Sequence, residues 1–118
     1  GGLTLTAARL SDILAAGKQL HLVFGMAEDK DISTVLRLLP HPAPEHHIYY
    51  YWTQASVRRA LPADRLKAIA DTCGLTDGTA FPDVPAAYAA ARAAAAPDDV
   101  VFVGGSCFIV ADFLGHLQ

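Results

Sequence analysis

Two short stretches hold residues that could do chemistry. Asp29-Lys30-Asp31 follows a nearly apolar run, Leu20-His21-Leu22-Val23-Phe24, and a turn glycine, Gly25. An acid-base-acid triplet opening a helix could bind a cationic amine, a metal or a phosphate. It is also what a solvated helix start looks like, because acids favour the positive end of the helix dipole. Gly104-Gly105-Ser106 follows Val100-Val101-Phe102-Val103 on the same plan. Backbone N–H groups and a hydroxyl at a helix start could hold a carboxylate or phosphate. The plainer reading makes Ser106 the cap after a tight turn.

Other groupings carry less. Gly-x-x-x-x-Gly-Lys-Ser/Thr and Gly-x-Gly-x-x-Gly are both absent, so the chain has no visible nucleotide-hydrolysing site of its own. His41, His46 and His47 cluster around prolines without zinc spacing, and no metal site is assigned. Arg58 and Arg59 read as a solvated face. A Ser-His-Asp set could be assembled on paper, but nothing local marks Ser106 as an activated nucleophile, so no residue is assigned as catalytic. Cys73 and Cys107 show no metal-ligand spacing and read as free thiols in a reducing cytoplasm.

The elements that must position these residues alternate. Leu3, Leu5, Ala7, Leu10, Ile13 and Leu14 give an approximate helical stripe that Gly17 stops, with Thr4 or Thr6 as its cap. A strand follows over about Gln19 to Phe24. Asp31 or Ser33 caps a helix with apolar Ile32, Val35, Leu36, Leu38 and Leu39, and Pro40, Pro42 and Pro44 forbid its continuation. His47 to Trp52 is an aromatic strand whose three tyrosines take alternate faces. Pro62 suits the first turn of a helix from Ala63 to Cys73, which Gly74 ends. Thr79-Ala80-Phe81 is a short strand. Asp83 and Pro85 open an alanine-rich helix from Val84 to about Ala96, where small side chains allow close packing on a sheet. The strand Val100–Val103 and a helix from Ser106 or Cys107 to about Leu117 complete the chain.

Strands alternating with helices predict an α/β fold: a three-layer α/β/α, Rossmann-like domain with a mostly parallel sheet. Leu20–Phe24 and Val100–Val103, apolar on both faces, are expected as buried central strands. Ligands of such sheets lie beyond the carboxyl ends of the strands, where both polar stretches fall.

Length and composition set bounds on this reading. At 118 residues the chain is one domain, residues 1–118. With 53% apolar and 18% charged residues it is globular, and a formal charge of −3 offers no case for nucleic acid or an anionic membrane. No run approaches the roughly 20 apolar residues that span a bilayer, and the first residues lack the pattern of a signal peptide. A cytoplasmic protein is expected.

Phe24-Gly25-Met26-Ala27-Glu28-Asp29-Lys30-Asp31-Ile32, Tyr51-Trp52-Thr53-Gln54-Ala55, Phe81-Pro82-Asp83-Val84, Val103-Gly104-Gly105-Ser106 and Val110-Ala111-Asp112 occur in one order. This resembles the C-terminal domain of folylpolyglutamate synthase/dihydrofolate synthase, in the Mur ligase superfamily. The resemblance implies a role in joining glutamate to folate or dihydropteroate with ATP and Mg2+. The carboxylate is phosphorylated to an acyl phosphate, and the incoming amine displaces the phosphate. It implies an N-terminal P-loop ATPase domain of the same chain as partner, and a fragment that binds no cofactor and is inactive alone. It implies substrate-binding roles for Gly105, Ser106, Asp29, Lys30 and Asp31. Two departures stand out. The family's domain begins with a strand carrying Asp-x-x-His-Asn, which would end just before Gly1, so the first strand is expected to be missing and an apolar strip on the sheet left exposed for a dimer or partner. Many members also carry a histidine after the Gly-Ser pair, where this chain has Cys107-Phe108. The alternative is a stand-alone Rossmann-like module that binds a small ligand or regulates, without catalysis.

Overall fold

The computed structural model describes residues 19–28, 31–39 and 47–117. In chain order its elements are β1 (Leu20–Phe24), α1 (Ile32–Leu38), β2 (Ile48–Trp52), α2 (Ala63–Thr72), β3 (Thr79–Ala80), α3 (Val84–Ala94), β4 (Val100–Gly104) and α4 (Cys107–Leu117). The expected first helix, its Gly17 stop and the proline-rich connection lie outside the described residues.

The strands form one all-parallel sheet in the order β3-β2-β1-β4. Register places Phe24 between Trp52 and Gly104, so β1, β2 and β4 end level. Alternation along each strand then sorts side chains onto two faces. Leu20, Leu22, Phe24, Ile48, Tyr50 and Trp52 point to the face covered by Leu36 of α1 and by Leu66 and Ala70 of α2. Val23 and Tyr51 point the other way, against Ala87 and Ala91 of α3. Ile109 of α4 packs with Val84 and Ala55 on that second side. The result is the expected three-layer α/β/α arrangement.

The helix ends follow the chemistry that the sequence offers. Asp83 accepts from the Ala86 amide at 2.8 Å, with Pro85 in the first turn of α3. Asp31 caps α1 through the Thr34 amide at 3.4 Å and the Thr34 hydroxyl at 2.8 Å. Gly74 takes a positive φ of 88° just past α2, where a side chain would be strained.

Three expectations need correction. Val100–Val103 is not central: β4 is a terminal strand of the described sheet, and its valines and Phe102 are only half-buried. Leu38 does not join the apolar face of α1 but stands 57% exposed. The exposed apolar surface lies less on the sheet than on α4, at Phe108, Val110, Leu114 and Leu117.

Candidate functional site

The carboxyl edge of the sheet is built from three loops held against one another by backbone. Gly25, just past β1, donates its amide to the Gly104 carbonyl at 3.3 Å. Gly105 has a φ of +111°, and a Cβ there would sit 2.0 Å from the Gly25 carbonyl oxygen. A Cβ on Gly25 would in turn meet Ile109 Cδ1 at 2.5 Å and the Thr53 carbonyl at 2.7 Å. Both glycines are required by close approach, and Gly105 also by its torsion.

This contact fixes where α4 begins. Gly105 is exposed and Ser106 half-buried, at the N-terminus of an eleven-residue helix. Ser106 Oγ accepts from the Ile109 amide at 3.3 Å, so the serine does cap the helix. That bond is long, and a hydroxyl can still donate to an anion while accepting from an amide.

The segment linking β2 to α2 crosses the same edge and ties its loops together. Thr53 donates its amide to the Phe24 carbonyl at 2.9 Å. Gln54 Oε1 accepts from the Ala63 amide at 2.9 Å, supplying the first turn of α2 with the cap that Pro62 cannot give. Ala55 is buried against Val84 and Ile109 on the opposite face. Asp112 of α4 takes the Ser56 amide at 2.7 Å and the Ser56 hydroxyl at 2.9 Å, one on each carboxylate oxygen. The Arg59 carbonyl accepts from Glu28 at 2.8 Å, and Leu61 donates to Met26 at 2.9 Å. Thr53 Oγ1 is buried here without a hydrogen-bond partner.

Of the five residues expected to bind substrate, Gly105, Ser106 and Asp31 are described. The first two share the carboxyl edge, and Asp31 sits exposed at the start of α1, engaged with Thr34. Asp29, Lys30, His41 and His46 lie outside the described residues. Arg58 and Arg59 are exposed, as expected. Cys73 is a free thiol. Among the described residues no three His, Cys, Asp or Glu side chains gather as a metal site, and no helix is long and apolar enough to cross a membrane.

The most buried polar cluster is at the opposite, amino end of the strands. His21, 2% exposed, bridges Asp99 and Tyr51. A carboxylate can only accept, so His21 Nε2–H donates to Asp99 Oδ2 at 2.8 Å. In the neutral ring Nδ1 then accepts from the Tyr51 hydroxyl, also at 2.8 Å. Tyr49 stacks on the imidazole with centroids 4.7 Å apart. The Ala96 amide and then His21 hold the Asp99 carboxyl below the usual carboxylate range, while burial foremost pushes the Tyr51 phenol up. This cluster joins β1, β2 and the turn before β4, and it is remote from the loops above.

A family model for the Mur ligase glutamate ligase domain matches residues 2–107. The chain belongs to this family. No curated protein sequence matches it. Among solved structures it is similar to bifunctional folylpolyglutamate synthase/dihydrofolate synthase from Yersinia pestis complexed with AMPPNP and Mn, at 30% identity and a TM-score of 0.74, over 94% of this chain and 25% of that one. A bifunctional folylpolyglutamate synthase/dihydrofolate synthase with Mn, AMPPNP and L-glutamate bound also matches at 30% identity and a TM-score of 0.74, over 94% and 26%. E. coli FolC in complex with DHPP and ADP matches at 26% identity and a TM-score of 0.72, over 94% and 25%. The Mur ligase domain described here thus spans about a quarter of the length of these proteins. The resemblance read from the motifs and the three-layer fold are both borne out.

Proposed function

We propose that this Mur ligase domain is the C-terminal part of an ATP-dependent ligase that joins glutamate to a folate or dihydropteroate carboxylate in the cytoplasm. It helps to hold the incoming glutamate and closes over ATP and the acyl phosphate formed on a P-loop domain of the same polypeptide. The carboxylate oxygen attacks the γ-phosphorus of ATP and ADP leaves. The glutamate nitrogen then attacks the acyl carbon, loses a proton and expels phosphate, leaving an amide.

The observation that carries this reading is the Gly105-Ser106 turn, packed on Gly25 and open at the N-terminus of α4. Backbone N–H groups, a serine hydroxyl and the helix dipole favour a carboxylate there. Asp29, Lys30 and Asp31 complete the proposed glutamate site, the two acids being suited by charge to the ammonium group. The structures with nucleotide and glutamate bound support the substrate class by similarity. The Mn bound in those structures supports a divalent ion that serves ATP in the full-length ligase.

Ser106→Ala in the full-length ligase tests this. Losing the cap lowers stability by about 0.5–2 kcal/mol in any case. A lost hydrogen bond to a charged group corresponds to roughly a ten- to hundredfold rise in the Michaelis constant for glutamate. The constant for ATP should move little. A glutamate constant equal to that of the parent would return Ser106 to a capping role only.

A further inference from the structure

We infer that Asp112 is a positioning residue for this site, acting through Ser56 to hold the β2–α2 segment against the helix that carries Ser106. The inference rests on the proposed function and extends it to a residue that touches no substrate.

The geometry is specific. Asp112 lies less than two turns beyond Ser106 on α4. Both its oxygens are committed to one residue, Ser56, at 2.7 and 2.9 Å. Ser56 belongs to the segment 53–62, whose other ties run toward β1 and α2: Thr53 to Phe24, Gln54 to Ala63, Arg59 to Glu28 and Leu61 to Met26. The segment therefore moves with the β1–α1 loop unless something fastens it to α4. Asp112 supplies the polar part of that fastening, beside the packing of Ala55, Val57 and Ala60 in one cluster with Ile109 and Phe113. The loops after β1 and β2 and the start of α4 are set relative to one another by this grip and by the Gly25–Gly105 contact.

A purely stabilising role fits the surroundings poorly. Ser56 is exposed and Asp112 half-buried, so water can replace most of what the two bonds contribute to folding. What water cannot replace is the fixed direction of a carboxylate that accepts from a main-chain amide and a hydroxyl of the same residue. Small displacements of substrate-holding groups cost rate and affinity far out of proportion to the stability lost.

The test compares Asp112→Asn, Asp112→Glu, Ser56→Ala and Ser106→Ala in the full-length ligase, measuring melting temperature and separate Michaelis constants for glutamate and ATP. Asparagine keeps one acceptor of two, and the glutamate constant should rise about tenfold with the ATP constant unchanged. Asp112→Glu should recover part of the loss. Ser56→Ala keeps the main-chain bond, should give a smaller rise, and should add nothing to Asp112→Asn when the two are combined. Should Asp112→Asn fail to fold, Ser56→Ala carries the comparison by itself. If Ser106→Ala raises the glutamate constant while the Asp112 and Ser56 variants only lower the melting temperature, the positioning role is overturned and the function stands. If none of the four moves that constant, the glutamate-holding role of the Gly105-Ser106 turn is overturned and the inference goes with it.

Discussion

His21 is a polar side chain in an otherwise apolar central strand, and its two partners explain how the core tolerates it. Tyr51→Phe removes one of them and leaves Nδ1 buried without a donor. Such an orphan costs about 1–3 kcal/mol, to be read from chemical denaturation. Asp99 adds a pH dependence. Its carboxyl titrates lower in the folded chain than in the unfolded one, because the Ala96 amide and His21 favour the ionised form. The stabilisation is therefore complete above the ordinary carboxylate range and fades as pH falls through it toward the lowered value. Asp99→Asn should lower the melting temperature at neutral pH and flatten its decline in acid. Melts of both proteins from neutral to acid pH check this, and parallel curves would refute it. Little of this cluster was legible beforehand. His21 and Asp99 are 78 positions apart, and a histidine in a strand names neither its partner nor its depth. Ser106, Asp31 and Asp83 were legible because a cap is a local device, written within four residues.

At the scale of elements, the alanine-rich helix α3 packs as its composition suggests. Ala87 and Ala91 are fully buried against Val23 and Tyr51, where a larger side chain would have to displace its neighbours. Ala87→Leu should overpack this contact and cost about 1–3 kcal/mol, whereas Ala89→Leu on the exposed side should be near neutral. Thermal melts of the two leucine variants separate the faces. Gly105→Ala should be similarly costly, about 1–3 kcal/mol from its torsion alone, with the Gly25 carbonyl in the way besides. A melt within about 0.5 kcal/mol of the parent, the scatter of neutral surface changes, would mean that the turn relaxes freely. The central placement of Val100–Val103 was the element-level reading that failed. Apolar residues on both faces of Val100–Val103 report that helices cover those faces, and say nothing of whether a further strand pairs along the side. Gln54 and Asp112 were visible only as letters of two motifs, without a role, for the same reason, since each acts on a segment reached only through the fold.

For the whole molecule, the family match makes the chain a Mur ligase glutamate ligase domain, and the proposed function makes it one part of a larger ligase. The 118-residue chain, purified by itself, should neither hydrolyse ATP nor ligate glutamate. Folate-dependent phosphate release by that chain would contradict the assignment. The sheet order has another consequence, for the way the chain assembles. β1 pairs with β2 early in the sequence, but its other side waits for β4, with Leu20 opposite Val100. Contacts so distant along the chain form slowly, because a long loop must close before they are gained. On the ribosome, half of the central strand's hydrogen bonds stay unmade until β4 has emerged, and His21 has no carboxylate to meet until just before then. Nascent chains halted before Val100 should therefore stay open to protease, and those released just past α4 should become resistant in a single step.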